Sequence, residues 1–144
     1  QGFSVSRRSA WGASPVPAEV WVGDSLGEMA LYYGLADIAL LGGSFLPLGG
    51  QNLIEAAACG CPVLIGPSTF NFAEAAELSE AAGAAIRVTD MAHAVQTALS
   101  LLNDAPALGR AAEAGPRFAQ AHRGAAMKTA SAIADLLEAG APAS

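Results

Sequence analysis

Two short segments place a small hydrogen-bonding residue three positions ahead of a glutamate: Ser25-Leu26-Gly27-Glu28 and Asn52-Leu53-Ile54-Glu55. The second follows a glycine-rich run, Gly42-Gly43-Ser44-Phe45-Leu46-Pro47-Leu48-Gly49-Gly50-Gln51. Ser or Asn with Glu three residues on is the pattern of a capping box, in which the side chains satisfy backbone N–H groups left over at a helix start. The same groups suit a second chemistry. Backbone N–H groups beside bare glycines attract a phosphate, and a carboxylate accepts hydrogen bonds from a pair of sugar hydroxyls. The residues therefore point to a sugar or nucleotide phosphate, with helix capping as the competing role for both glutamates.

Other chemistry is poorly provided for. The chain has no nucleophile elbow, no G-x-x-x-x-G-K run and no Cys/His pair. His93 and His122 read as structural or solvated residues, and no metal site is expected. Trp11, Trp21, Tyr32 and Tyr33 read as packing residues, and nothing pairs Asp24 as a general acid or base. Cys59 and Cys61 flank Gly60, too close in sequence for disulfide geometry, and read as buried thiols of a reducing compartment.

Charge narrows the ligand further. The net charge is −6, which argues against nucleic acid or an anionic membrane as a direct partner. The cations are Arg7 and Arg8, then Arg87, Arg110, Arg117, Arg123 and Lys128, so none lies between Arg8 and Arg87. A diphosphate needs basic residues or a metal beside it, whereas a single phosphodiester can be held by backbone amides and helix dipoles. A monophosphate-linked ligand fits better.

These residues need a scaffold that brings backbone and helix starts to one edge. Glu19 to Gly23, then 38–41, 62–65 and 85–88, are short apolar or β-branched runs that predict strands. Helices are expected from Ser25 through Tyr32 to Gly34, from Asn52 to Cys59, over 73–82 and over 91–102. An alanine-rich helical remainder should follow, with breaks near Pro106, Gly115-Pro116 and Gly124. Residues 1–18 lack periodicity and read as loop, and the loop 66–72, with Asn, Ser, Thr and two Phe, reads as a lid at a substrate edge.

Strand and helix alternate at short intervals. That predicts parallel βαβ units in one α/β domain over residues 1–144, a Rossmann-like open parallel sheet with helices on both faces. Both glutamate-bearing helix starts would then open toward the carboxyl edge of one sheet, where ligands collect. A composition of 53% hydrophobic and 14% charged residues suits a sheet buried on both sides. No run of about 18 apolar residues is present to span a bilayer. The start, Gln1-Gly2-Phe3, suggests a piece of a longer protein that lacks a strand or two on its N-terminal side.

Taken in order, Gly23-Asp24-Ser25-Leu26-Gly27-Glu28-Met29, Tyr33-Gly34-Leu35-Ala36-Asp37, Gly42-Gly43-Ser44, Gly49-Gly50-Gln51-Asn52-Leu53-Ile54-Glu55, Pro62-Val63-Leu64-Ile65-Gly66-Pro67 and Thr69-Phe70-Asn71-Phe72 resemble one family. It is the C-terminal half of the 3-deoxy-D-manno-octulosonic acid (Kdo) transferases of lipopolysaccharide synthesis in Gram-negative bacteria. The resemblance covers about residues 19–90.

It implies two facing Rossmann-like domains of the GT-B type, with the donor CMP-Kdo held mainly by the C-terminal one. It also implies Kdo transfer to a lipid A precursor at the cytoplasmic face of the inner membrane, with no cofactor or required metal. By matching motif, Gly27, Glu28 and Met29 would contact the CMP moiety, as would Asn52, Leu53, Ile54 and Glu55, with Glu55 on the ribose hydroxyls. Gly43 and Ser44 would lie near the phosphate or sugar. No catalytic residue is expected in this chain, because the family's catalytic carboxylate lies in the N-terminal domain.

The chain departs from the pattern at Gln51 and Ser68, where many members have His, at Leu53, where many have Pro, and at Leu48, where a basic residue is common. Two other readings are a non-catalytic nucleotide-binding module and a nucleotide-sugar epimerase of similar architecture.

Overall fold

The computed structural model describes residues 2–122 together with residues 131, 133 and 135. The strands are β1 (Val5–Arg7), β2 (Val20–Val22), β3 (Ala39–Leu41), β4 (Val63–Ile65) and β5 (Ala85–Arg87). The helices are α1 (Met29–Leu35), α2 (Leu53–Ala58), α3 (Ala73–Ala81), α4 (Met91–Leu102) and α5 (Ala105–His122). All strand pairs are parallel, with registers such as Leu40↔Leu64 and Leu64↔Ile86.

β4 is the centre. Its three residues are at most 1% exposed, and their alternation feeds two cores. Val63 and Ile65 join Leu53, Ala56, Ala57 and Phe118 on the side of α2, α3 and α5. Leu64 joins Val88, Ala94 and Leu101 on the side of α4. The expected α/β architecture, an open parallel sheet clothed by helices, is therefore present.

Two expectations change. The strands form two ladders, β1–β2 and β3–β4–β5, and among the described residues β2 does not pair with β3. The two glutamate-bearing segments thus follow strands of different sheets. Residues 1–18 are also not all loop: Val5–Arg7 is a strand, and residues 8–10 make a 3₁₀ turn. Three residues carry no periodicity to read. This strand exists through its partner fifteen residues on, and Glu19 ties the two by accepting from the Ser4 N–H and hydroxyl.

The helix break predicted at Gly115-Pro116 does not occur, since α5 runs through both residues. A Cβ built on Gly115 would lie 2.6 Å from the Ala57 carbonyl oxygen, so α5 crosses α2 closer than any side chain allows. The glycine is a contact surface, and the proline beside it packs toward Gly60, which closes α2 in a left-handed conformation. The neighbours Ala56, Ala57, Ala111, Ala114 and Ala119 are all buried and small. The break near Pro106 is borne out: Asp104 accepts from the Ala107 N–H at 2.9 Å and opens α5 just ahead of the proline. The break at Gly124 lies outside the described residues.

Two glycines of the same helix should respond oppositely. Gly115→Ala forces a backbone collision and should lower the thermal midpoint by several degrees, as overpacking costs of about 1–3 kcal/mol do. At Gly109 an added methyl group would meet nothing within 4 Å. Gly109→Ala should raise the midpoint, by up to about 1 kcal/mol of helix propensity. Paired thermal melts of the two variants check both signs.

Candidate functional site

The glycine run leaves β3 in a 3₁₀ turn, Gly42–Ser44, and its fold is set by one hydroxyl. Ser44 is 1% exposed; its Oγ donates to the Leu41 carbonyl and accepts from the Gly66 N–H at 2.7 Å. The Ser44 carbonyl accepts from the Ser68 N–H at 2.9 Å. A Cβ on Gly66 would sit 2.5 Å from that carbonyl oxygen, so the ends of β3 and β4 meet backbone to backbone.

The loop after β4 then folds across the glycines. Gly49 donates to Ser68 Oγ, Asn71 donates its N–H to Gly49 and its Nδ2 to Leu48, and Gly50 donates to Gly43. Gly49 and Gly50 adopt φ of +84° and +87°, conformations that side chains resist. The loop expected as a lid is thus stitched onto the glycine run, with Thr69 buried and Phe70 exposed.

α2 begins beyond this knot. Asn52 caps it, its Oδ1 accepting from the Ile54 N–H at 3.1 Å. The reciprocal half of a capping box is replaced by a side-chain bond, Asn52 Nδ2 to Glu55 Oε1 at 3.1 Å. Leu53 is buried in the core, Ile54 half-buried, and Asn52 and Glu55 exposed.

The first motif departs further from expectation. α1 begins at Met29, not Ser25, because Gly27 takes φ +80° and interrupts the turn. Ser25 donates instead to the Glu28 carboxylate, which also receives Tyr32 and, at 2.7 Å, the Arg8 guanidinium. Ser25 first and Arg8 second hold the Glu28 carboxyl below its ordinary range. Arg8 also lies over the Trp11 ring, itself set edge-on to Trp21. The two rings pack on each other, although Trp21 stays 49% exposed.

α1 and α2 pack side by side and leave an open cleft of about 530 Å³, lined by Gly27, Met29, Ala30, Glu55, Ala58 and Cys59. Three residues predicted from the two motifs, Gly27, Met29 and Glu55, meet here. Glu28, Asn52 and Ile54 stand beside the cleft in sequence but do not line it, and the Ser44 and Leu53 side chains are turned into the protein. Burial, with the Glu55 charge second, pushes the Tyr33 phenol above its ordinary value, which marks how near the α1 face lies to Glu55.

Ala30, Ala58 and Cys59 escaped the sequence reading, although Cys59 is one helical turn after Glu55 and so shares its face. The expectation of two buried thiols is corrected. Cys61 is buried, its thiol pushed up to about 11 by that burial, whereas Cys59 is exposed at the cleft. Gly60 between them takes a left-handed conformation, with φ +72°. Among the described residues no group of three His, Cys, Asp or Glu could hold a metal ion.

Among the described residues two arginines are half-buried and both are neutralised by glutamates, Arg8 by Glu28 and Arg87 by Glu80, the latter at 2.6 Å. Folding therefore brings no free cation to the glycines from either.

The chain is 48% identical over 137 residues to the 3-deoxy-D-manno-octulosonic acid transferase of Bordetella pertussis, covering 94% of this chain and 32% of that protein. It is 34% identical over 137 residues to the enzyme of the same name from Haemophilus influenzae, with the same two coverages of 94% and 32%. The chain thus spans about a third of the length of these curated relatives. Its fold is similar to that of the C-terminal CMP-Kdo binding domain of WaaA from Acinetobacter baumannii. That match has a TM-score of 0.74 and 27% identity, over 82% of this chain and 62% of the other. No family model matches the chain.

Among the described residues three carboxyls have depressed pKa values: Glu28, Asp24 through its hydrogen bonds from Ser9, and Asp90 through the His93 N–H. Each gives up its proton more readily folded than unfolded. Its stabilisation is complete above the ordinary values of 4.5 for Glu28 and 3.8 for the aspartates, and is lost as pH falls through the lower folded values. The thermal midpoint should stay level down to about pH 5 and fall below it. Glu28→Gln should lower the midpoint at neutral pH and make the acid-side fall shallower, as melts across a pH series will register.

Proposed function

We infer that this chain belongs to the Kdo transferases and forms their CMP-Kdo-binding domain. The observation that carries the reading is the meeting of two motifs across one cleft. Gly27 and Met29 line one wall and Glu55 the other, although the motifs follow strands of different sheets. The similar curated proteins are named for Kdo transfer, and the similar solved domain for CMP-Kdo binding.

The chemistry fits a cytidine monophosphate ester. Glu55 gives one carboxylate oxygen to Asn52 and keeps the other for ribose hydroxyls. The backbone at Gly27 and the Met29 side chain supply the opposite wall, with Glu28 held behind them by Arg8. Gly43 and the backbone at Ser44, Leu53 and Ile54 lie toward the phosphate side, where the cation-poor loop suits one negative charge better than a diphosphate.

In the transfer itself, an acceptor hydroxyl attacks the anomeric carbon of Kdo and CMP leaves with the bonding electrons. This domain's part is to hold and orient the leaving group. The base that takes the acceptor proton belongs to a preceding N-terminal domain, in a two-domain GT-B enzyme. That enzyme acts on a lipid A precursor at the cytoplasmic face of the inner membrane.

Calorimetry in metal-free buffer should show cytidine monophosphate binding more tightly than UDP. Tighter UDP binding, or a strict need for magnesium, would assign the cleft to a diphosphate sugar. Given CMP-Kdo and a lipid A precursor, the chain by itself should yield no product above background, and turnover would place the base within it.

Glu55→Gln separates capping from ribose binding. The swap weakens a charge-assisted hydrogen bond worth about 1.5–3 kcal/mol in total, so CMP affinity should fall up to roughly tenfold. The variant should also lose discrimination against the 2′,3′-dideoxy nucleotide. Unchanged affinity and unchanged discrimination would leave Glu55 with capping alone.

A further inference from the structure

Arg87 is a cation at the carboxyl end of β5, beside the loops that shape the site, yet its charge is not on offer to a ligand. Nε and Nη2 donate to Glu80 Oε1 at 2.9 and 2.6 Å. Nη1 donates to the Gly66 carbonyl at 3.2 Å and to Thr69 Oγ1 at 3.1 Å. The planar fork thus grips α3 on one side and the loop after β4 on the other, and its side chain is only 32% exposed.

What it grips continues to the cleft. Gly66 donates to Ser44 Oγ and Ser68 donates to the Ser44 carbonyl. Ser68 Oγ receives Gly49, Asn71 donates to Gly49, and Gly50 donates to Gly43. Gly43 donates at 3.3 Å to Gln51 Oε1, immediately before the Asn52 cap and Glu55. The bonds of Gly66, Ser68 and Asn71 join two loops that have no regular ladder of their own, and those at Gly43 close the glycine run on itself. A loop held by so few bonds opens locally at low cost unless one anchor is strong. The bonds from Arg87 are charge-assisted and partly buried, the strong class.

We propose that Arg87 is a positioning residue for the donor site: it fixes the loop after β4, which fixes the glycine run and the start of α2, without touching the nucleotide. The part that concerns the donor rests on the CMP-Kdo reading above; the coupling of the loops does not.

The test uses the 144-residue chain, read by amide hydrogen exchange without ligand and by CMP titration. In Arg87→Met, the amides of Gly49, Gly50, Gly66, Ser68 and Asn71 should exchange about tenfold faster, while those of Gly60 and Cys61 behind α2 keep their rates. CMP affinity should fall several-fold. Glu80→Gln keeps an acceptor and leaves the grip on Gly66 and Thr69, so it should leave these loop amides and CMP affinity near wild type even where it lowers the thermal midpoint. Arg87→Lys cannot reach both sides from one nitrogen and should behave as the Met variant does, with the charge beside Glu80 retained to preserve the fold.

Loop amides unchanged in the Arg87 variants would overturn the proposal. So would Glu80→Gln changing exchange and affinity as much as Arg87→Met, since the ion pair alone would then explain both. If the wild-type chain fails to bind CMP, the donor reading falls, and the exchange rates still decide whether Arg87 governs the loops.

Discussion

The buried hydroxyl of Ser44 is the interaction on which the site's architecture turns. It donates to Leu41 at the end of β3 and accepts from Gly66 at the end of β4, so one group closes two strand ends. A buried hydroxyl satisfied on both counts stabilises modestly, but removing it would strand a buried N–H and a carbonyl at once. The absence of side chains at Gly66, Gly49 and Gly50 lets the two loops approach closely enough for the bonds that follow. Glycine here permits contact rather than mobility.

A second constraint holds α2 from behind. α2 has only six residues, and a helix that short has little stability of its own. It persists because α5 presses Gly115 against Ala57 while α1 lies along another side. The cleft is what remains between α1 and α2 after that packing, and the small side chains of Ala30 and Ala58 leave its walls low. The brevity of both helices shifts weight from helix dipoles, which the motif spacing suggested, toward specific backbone and side-chain groups.

Electrostatics follows the same economy. The glutamates first noticed as ligand groups differ once folded: among the described residues Glu28 is occupied by Arg8, Ser25 and Tyr32, and Glu55 only by Asn52. One is a support and the other is open toward the cleft. Sequence spacing treats them as equivalents, since both stand three residues after a capping residue.

Local pattern was enough for much of this protein. The runs at 38–41, 62–65 and 85–88 became β3, β4 and β5, and α3 and α4 fell within a residue of their expected bounds, because short apolar runs and, at Asp90 ahead of α4, a helix cap are written in neighbouring residues. The motifs likewise pointed to Gly27, Met29 and Glu55 before their meeting was visible. Tertiary structure alone decided the rest. It paired β1 with β2 across an irregular loop, carried α5 through Gly115-Pro116, turned Ser44 inward and Cys59 outward, and matched Arg8 and Arg87 to glutamates. Each of these depends on which surfaces meet at a distance along the chain, and a glycine, a serine or an arginine reads the same locally whether it faces solvent or a carbonyl oxygen of another element.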